Sequence, residues 1–258
     1  MELQRRAQPW LGTLLEISLR HADAAAGTAA LQAGFALVAR LQGELSRFEP
    51  DSDIARFKAL PPGQDMTLRP AAQHVLAVAA WLRSCSGGAF DISQGSGCRG
   101  WTLAQGRLRK CAAGTQLDLG GIAKGFVVDR VIAQLRRAGC AWGAVNAGGD
   151  LRVFGPQPLP LYLRDERHGG LREIGSLADG AFASSYYGPD SRSRLTGAAP
   201  GLDVQVAVAA PSALWADALC KLAALGLEGQ SALLDRLRAK AWTWHVDPRT
   251  EPCATTTH

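Results

Sequence analysis

Two short runs of this chain bring together the residue types that handle a phosphate. The first, LDLGGIAKGFVVDRV, begins at Leu117 and carries Asp118, Gly120, Gly121 and Lys124. The second, VNAGGDLRVFG, begins at Val145 and turns through Gly148 and Gly149 into Asp150. Glycine turns let backbone N–H groups approach an anion, and a helix that opens on one adds the positive end of its dipole. Lys124 would add a cation to the same phosphate, and Asp118 a carboxylate for a ribose, a base or a metal. The same residues also fit two tight turns, an exposed lysine and an N-cap aspartate. Neither GxxxxGK[ST] nor GxGxxG occurs, so the two common nucleotide signatures are excluded.

The elements around these runs follow from spacing. Leu117 to Leu119 reads as a short strand-like piece before the glycine turn. Ile122, Phe126, Val128, Val131, Ile132 and Leu135 recur at helical spacing, which predicts a helix with Lys124 in its first turn and one buried stripe. Arg136 and Arg137 complement the dipole in its last turn, and Gly139 follows as a C-cap. Gly143 to Asn146 is the strand that enters the second turn. Late in the chain, Pro211 and Ser212 open a helix over 213–226 that sets Asp217 and Lys221 four residues apart on one face, the spacing of an ion pair.

Elsewhere, alternation over Leu11–Leu19 predicts a half-buried strand. His21, Ala22 and Asp23 cap a long helix whose buried stripe is Leu31, Phe35, Val38, Leu41 and Leu45. Residues 46–58 read as a loop and a short helical turn, in which Phe48 by its type is an ordinary core aromatic. Pro70 opens a helix to about Cys85, on which His74 lacks a ligand-type neighbour. Residues 97–115 form a strand pair around Trp101, Leu103 and Leu108. Strands follow at 151–154 and 159–164, then a hairpin of 171–177 with 181–185 turned by Ala178, Asp179 and Gly180. Val204–Ala209 and Ala241–Val246 close the set. One α+β domain over 1–258 is expected, with antiparallel sheets packed by helices and a disordered tail from about 248 to 258.

With 258 residues and 47% apolar content, a substantial core is available. The net charge of +5 is modest and its arginines are scattered, so no nucleic-acid partner is expected. Six cysteines without CxxC spacing read as reduced thiols in a cytoplasmic protein. No segment is read as approaching the length of a membrane span, and no membrane insertion is expected.

The wording of the two runs is more specific than their spacing. They resemble the signature of the ApbE-type FAD:protein FMN transferases, and weaker echoes of that family stand in order along the chain: LGT, SRFEPDSDI, GGAFD and ADAL. The resemblance implies an ApbE-like fold. It also implies an enzyme that uses Mg2+ to split FAD and attach FMN, through a phosphoester, to a Ser or Thr of an acceptor flavoprotein. By position it assigns Leu11, Phe48, Ala89, Phe90, Asp91, Asp118 and Lys124 to the cofactor. It assigns Gly121, through its carbonyl, and Asp217 to the metal.

Two departures stand out. Relatives carry H-x-x-D-P-x-T-G where this chain has Ser191, Arg192, Ser193, Arg194, Leu195, Thr196 and Gly197, so no catalytic residue is assigned. The family's metal-ligating Thr is replaced by Lys221, whose ammonium has no lone pair for a cation. An FAD-binding or FAD-hydrolysing relative that modifies no protein, and a non-catalytic scaffold of the same fold, remain alternatives.

Overall fold

The computed structural model describes residues 1–96, 99–164, 169–188, 191, 201–226 and 229–245. Its frame is a seven-stranded antiparallel sheet in the order β1-β2-β6-β7-β10-β11-β12. The chain enters through β1 (Leu3–Trp10) and β2 (Thr13–Arg20), then runs along α1 (Ala24–Leu45) and α2 (Asp53–Ala59). A small sheet follows, with β3 (Asp65–Thr67) paired to β5 (Arg107–Lys110) and that to β4 (Trp101–Ala104); α3 (Pro70–Cys85) lies between β3 and β4 in sequence. Then come α4 (Ala123–Arg137), β6 (Trp142–Ala147), β7 (Asp150–Phe154), β8 (Leu159–Arg164), β9 (Leu171–Leu177) and β10 (Gly180–Tyr187). The last elements are β11 (Val204–Ala210), α5 (Ala213–Leu225), α6 (Gln230–Arg236) and β12 (Lys240–His245). The architecture is the expected α+β domain of antiparallel sheets and packed helices.

One face of the large sheet carries the main core. Leu15, Ile17, Leu19, Val145, Ala147, Ala181, Ala183, Val204, Val206 and Val208 point toward the helices, at the period of two that a strand imposes. Against them pack the predicted stripes of α1 and α4, including Phe35, Val38, Val131 and Leu135. The opposite face holds a smaller cluster around Trp142, Leu151, Val153 and Phe182, covered by Leu161 and Leu163 of β8.

Several expectations are corrected. β9 pairs with β8, in a separate two-stranded sheet, and not with β10. β10 instead joins β7 and β11. Turn chemistry at Ala178–Gly180 marks a reversal but cannot name the partner, and the mostly exposed β9 has no apolar face to claim a place in the large sheet. Leu117–Leu119 is no strand: Asp118 N–H donates to the Ile92 carbonyl at 2.7 Å, and the Leu119 carbonyl already accepts from Ile122 and Ala123 at the start of α4. β1 was not foreseen. It is a mostly exposed edge strand carrying Arg5 and Arg6 on its two faces. A helix does approach the length of a membrane span, since α1 has 22 residues and is apolar enough by composition. Here one side of α1 is core, with Leu31, Phe35, Val38, Leu41 and Leu45 buried. The tail expectation for 248–258 lies outside the described residues.

Candidate active site

Lys124 reaches its place because α4 is fastened at three points. On β7, alternate residues face the helices: Asp150 pairs with Lys124, and Arg152 with Asp129 one and a half turns further along α4. Asp129 also caps α5, its carboxylate accepting from the backbone N–H groups of Ala213 at 2.9 Å and Leu214 at 3.0 Å. Between these, α4 and α5 meet at Gly125. A Cβ built there would stand 2.2 Å from the Ala213 carbonyl oxygen, so only glycine permits this approach. Gly125 N–H then donates to Asp217 Oδ2 at 3.1 Å. The packing of α4 on α5 thus sets Lys124, Asp217 and Lys221 together.

Asp150 comes from the turn between β6 and β7. Gly148 and Gly149 both have positive φ, 63° and 105°, as a two-residue hairpin turn requires. Asn146 Oδ1 fixes the turn by accepting from Gly149 N–H at 2.9 Å. The register opposes Asp150 to Ala147, so its carboxylate points to the helix side and is buried.

Two buried carboxylates, Asp150 and Asp217, and two half-buried amines, Lys124 and Lys221, therefore stand close together. Burial pushes the Asp150 carboxyl up, Asp217 adds to the rise and Lys124 opposes it, leaving a pKa of about 7. For Lys124, burial works against the charge, but Asp217 and Asp150 outweigh it and hold the ammonium above the usual lysine range. Lys221 goes the other way: burial lowers it, against Asp217, Asp118 and Asp91, with Lys124 adding to the fall. Burial, then Asp150 and Asp217, push the Cys220 thiol far up, which keeps it protonated and unreactive. Burial likewise raises the Tyr187 phenol.

A cleft of about 370 Å³ opens from this cluster toward solvent. It is lined by Leu11, Phe48, Asp118 and Lys124, four of the seven positions assigned to the cofactor, together with Gln42 and Arg47. Leu11 sits in the left-handed region at φ 56° and its N–H donates to Gln42 Oε1 at 2.9 Å. Phe48 is 81% exposed, which corrects its reading as a core aromatic. The Arg47 guanidinium lies 4.7 Å from its ring centre and bonds Asp118 Oδ2 at 2.7 Å. Asp118 also accepts from Gln94 Nε2 at 2.7 Å and Gly120 N–H at 2.8 Å.

The other three assigned positions are not in its lining. Phe90 is a core side chain, so only the backbone of its loop is open to a ligand. Asp91 is engaged by Ser93, N–H at 2.8 Å and Oγ at 2.6 Å, and Ala89 is half-buried. Arg47 and Gln94, on loops, and Gln42, near the end of α1, escaped the sequence reading because no periodicity marks a polar residue that reaches a site from elsewhere in the chain. Asp150 was visible as the end of NAGGD, but its pairing with Lys124 was not.

The donors expected for Mg2+ do not fit a divalent cation. The Lys221 side chain lies across Gly121: a Cβ there would stand 2.1 Å from Lys221 Cε and 2.5 Å from its Nζ. The direct ion pair expected between Lys221 and Asp217 is not formed. Asp217 is instead held by Gly125, while the lysine leans over the glycine turn. Among the described residues, no three His, Cys, Asp or Glu side chains gather as a metal site.

The sequence profile of the ApbE family matches residues 11–112 and 96–188, which takes in the cleft, Lys124 and Asp150. The chain belongs to the ApbE family. It is 26% identical over 185 residues to an FAD:protein FMN transferase of Treponema pallidum (strain Nichols), covering 58% of this chain and 51% of that one. It thus spans about half the length of that curated relative. Its fold matches the flavin transferase ApbE of Vibrio cholerae with a TM-score of 0.83 at 20% identity, over 99% of this chain and 97% of the other. The flavinyl transferase ApbE of Pseudomonas stutzeri matches with a TM-score of 0.81 at 22% identity, over 98% and 95%.

Proposed function

We propose that the protein takes FAD as its substrate and transfers FMN to a Ser or Thr hydroxyl of an acceptor flavoprotein. The observation that carries this reading is the cleft itself. Leu11, Phe48 and the Asp118–Lys124 run come from three separate stretches of an ApbE-family chain and line one opening. The opening runs from an exposed aromatic and a guanidinium, suited to flat rings, to the half-buried Lys124 ammonium, suited to a pyrophosphate.

In the reaction, the acceptor hydroxyl attacks the FMN phosphorus. The phosphoanhydride bond breaks, AMP leaves, and the hydroxyl proton passes to a base. Such transfers depend mainly on positioning and on neutralising charge. Lys124, held protonated, stands ready to bind the developing charge, and the fixed α4–α5 contact limits its movement. Lys221 crowds Gly121, which the resemblance offers to a cation, so no step is assigned to a metal.

A second reading, binding or hydrolysis of FAD without protein modification, is favoured by one specific observation. The His of the family's H-x-x-D-P-x-T-G segment is absent from residues 188–200, and losing a proton-transfer group typically costs ~10²–10⁴-fold in rate. Incubation with FAD and a candidate acceptor domain, with and without Mg2+, followed by mass spectrometry, separates the two. Transfer predicts an acceptor carrying FMN on Ser or Thr, with AMP released. FAD cleaved or merely bound, with the acceptor unchanged, would replace it by the second reading.

A further inference from the structure

We propose that Lys221 is a tethered replacement for the divalent cation, so that this protein holds a pyrophosphate without a metal. The proposal rests on the reading of the cleft as an FAD site and concerns which charge meets the phosphates there.

Three observations converge on it. First, the lysine lies against the glycine itself: a Cβ built on Gly121 would stand 2.1 Å from its Cε and 2.5 Å from its Nζ, so the side chain crowds the residue that the resemblance offers to a cation. Second, the anionic surroundings that would attract a cation are intact. Asp217 is buried on the turn of α5 before Lys221, and Asp118 and Asp91 also favour its charge. Third, the ammonium is uncommitted. Lys124 is tied to Asp150, whereas Lys221 has no ion pair or hydrogen bond with any described residue. An amine with three donors and no partner, beside the glycine turn that opens α4, is placed for an anionic oxygen.

The arrangement also has a steric side. A metal ligated by Gly121 and Asp217 would share its space with the lysine stem, so the two occupants exclude each other. Shortening residue 221 to a hydroxyl opens that space and puts an oxygen four residues from Asp217 on the same helix face.

The test has two arms. In the first, Mn2+ is titrated against the wild-type chain, Lys221→Thr, Asp217→Asn and the double variant Lys221→Thr with Asp217→Asn. Bound ion is read from the loss of the free Mn2+ electron paramagnetic resonance signal, with and without FAD. The wild type should take up no Mn2+ at this place, Lys221→Thr should gain one ion per chain, and the double variant should lose it. An ion bound by the wild type and abolished by Asp217→Asn, or no gain in Lys221→Thr, overturns the proposal. In the second arm, FAD affinity is measured in EDTA and in Mg2+ for the wild type and Lys221→Met. The wild type should be indifferent to Mg2+, and Lys221→Met should bind FAD about tenfold or more weakly in EDTA. A wild type that needs Mg2+ to bind FAD, or Lys221→Met unchanged in EDTA, overturns it as well. FAD binding to neither form would remove the FAD reading, while the Mn2+ arm still decides what occupies the cation position.

Discussion

The two ends of the cleft are built on opposite principles. At one end Lys124, Asp150 and Asp217 are fixed by backbone and packing: a two-glycine turn aims Asp150, Gly125 lets α5 touch α4, and Asp129 caps α5 from α4. At the other end Arg47 and Phe48 stand on the loop between α1 and α2, with the ring 81% exposed and the guanidinium bonded to Asp118 and lying over the ring. Buried charges interact strongly and are costly to misplace, so they need a frame that cannot shift. Exposed ring contacts add area at small cost and tolerate movement. The difference places the preorganised part of the site where phosphates would sit, and the adaptable part where rings would sit.

The sharpest way to break the contrast is to separate the helices. Gly125→Val forces side-chain atoms into the Ala213 carbonyl, and overpacking of this kind should destabilise the fold by about 3 kcal/mol. Urea unfolding would read it as a lower midpoint, and an unchanged midpoint would mean that α4 and α5 can part without penalty.

A second, smaller effect comes from Asp150. Its folded pKa of about 7 lies above the ordinary 3.8, so the folded protein holds that proton more tightly than the unfolded chain. The stability this contributes is fully present below 3.8 and lost as pH rises through about 7. Thermal unfolding at pH 5 and pH 8 should therefore show a fall that is smaller in Asp150→Asn than in the wild type. Equal falls would show that the carboxyl is already ionised at pH 5.

The smallest effect belongs to the exposed end. Phe48→Ala should leave stability unchanged to within about 0.5 kcal/mol, as for other surface changes. It should weaken FAD binding by about 1 kcal/mol through the lost ring contact. A large loss of stability would contradict the exposure of the ring.

How much of this was legible in the sequence follows the same division. The stripe of α4, the glycine turns and the strand alternation of Leu15, Ile17 and Leu19 are local signals, and each stands where the spacing placed it. The pairings Lys124–Asp150 and Asp129–Arg152 join residues 26 and 23 positions apart, a distance over which periodicity says nothing. β9 was given to the wrong neighbour for a related reason: a tight turn fixes where the chain reverses, not which strand it then meets. Phe48 was misjudged because residue type records the usual fate of an aromatic, whereas exposure at a cleft is decided by the loop that carries it.

The central claim is that one ligand spans both ends, with its pyrophosphate at the buried charges and its rings at Phe48. Equilibrium titration of the wild-type protein with FAD, FMN and riboflavin tests it most directly. The account predicts FAD bound about tenfold or more tightly than FMN, and riboflavin weakest, because FAD alone of the three carries a pyrophosphate to the half-buried amines. Equal affinity for FAD and FMN, or no binding of FAD, would contradict it.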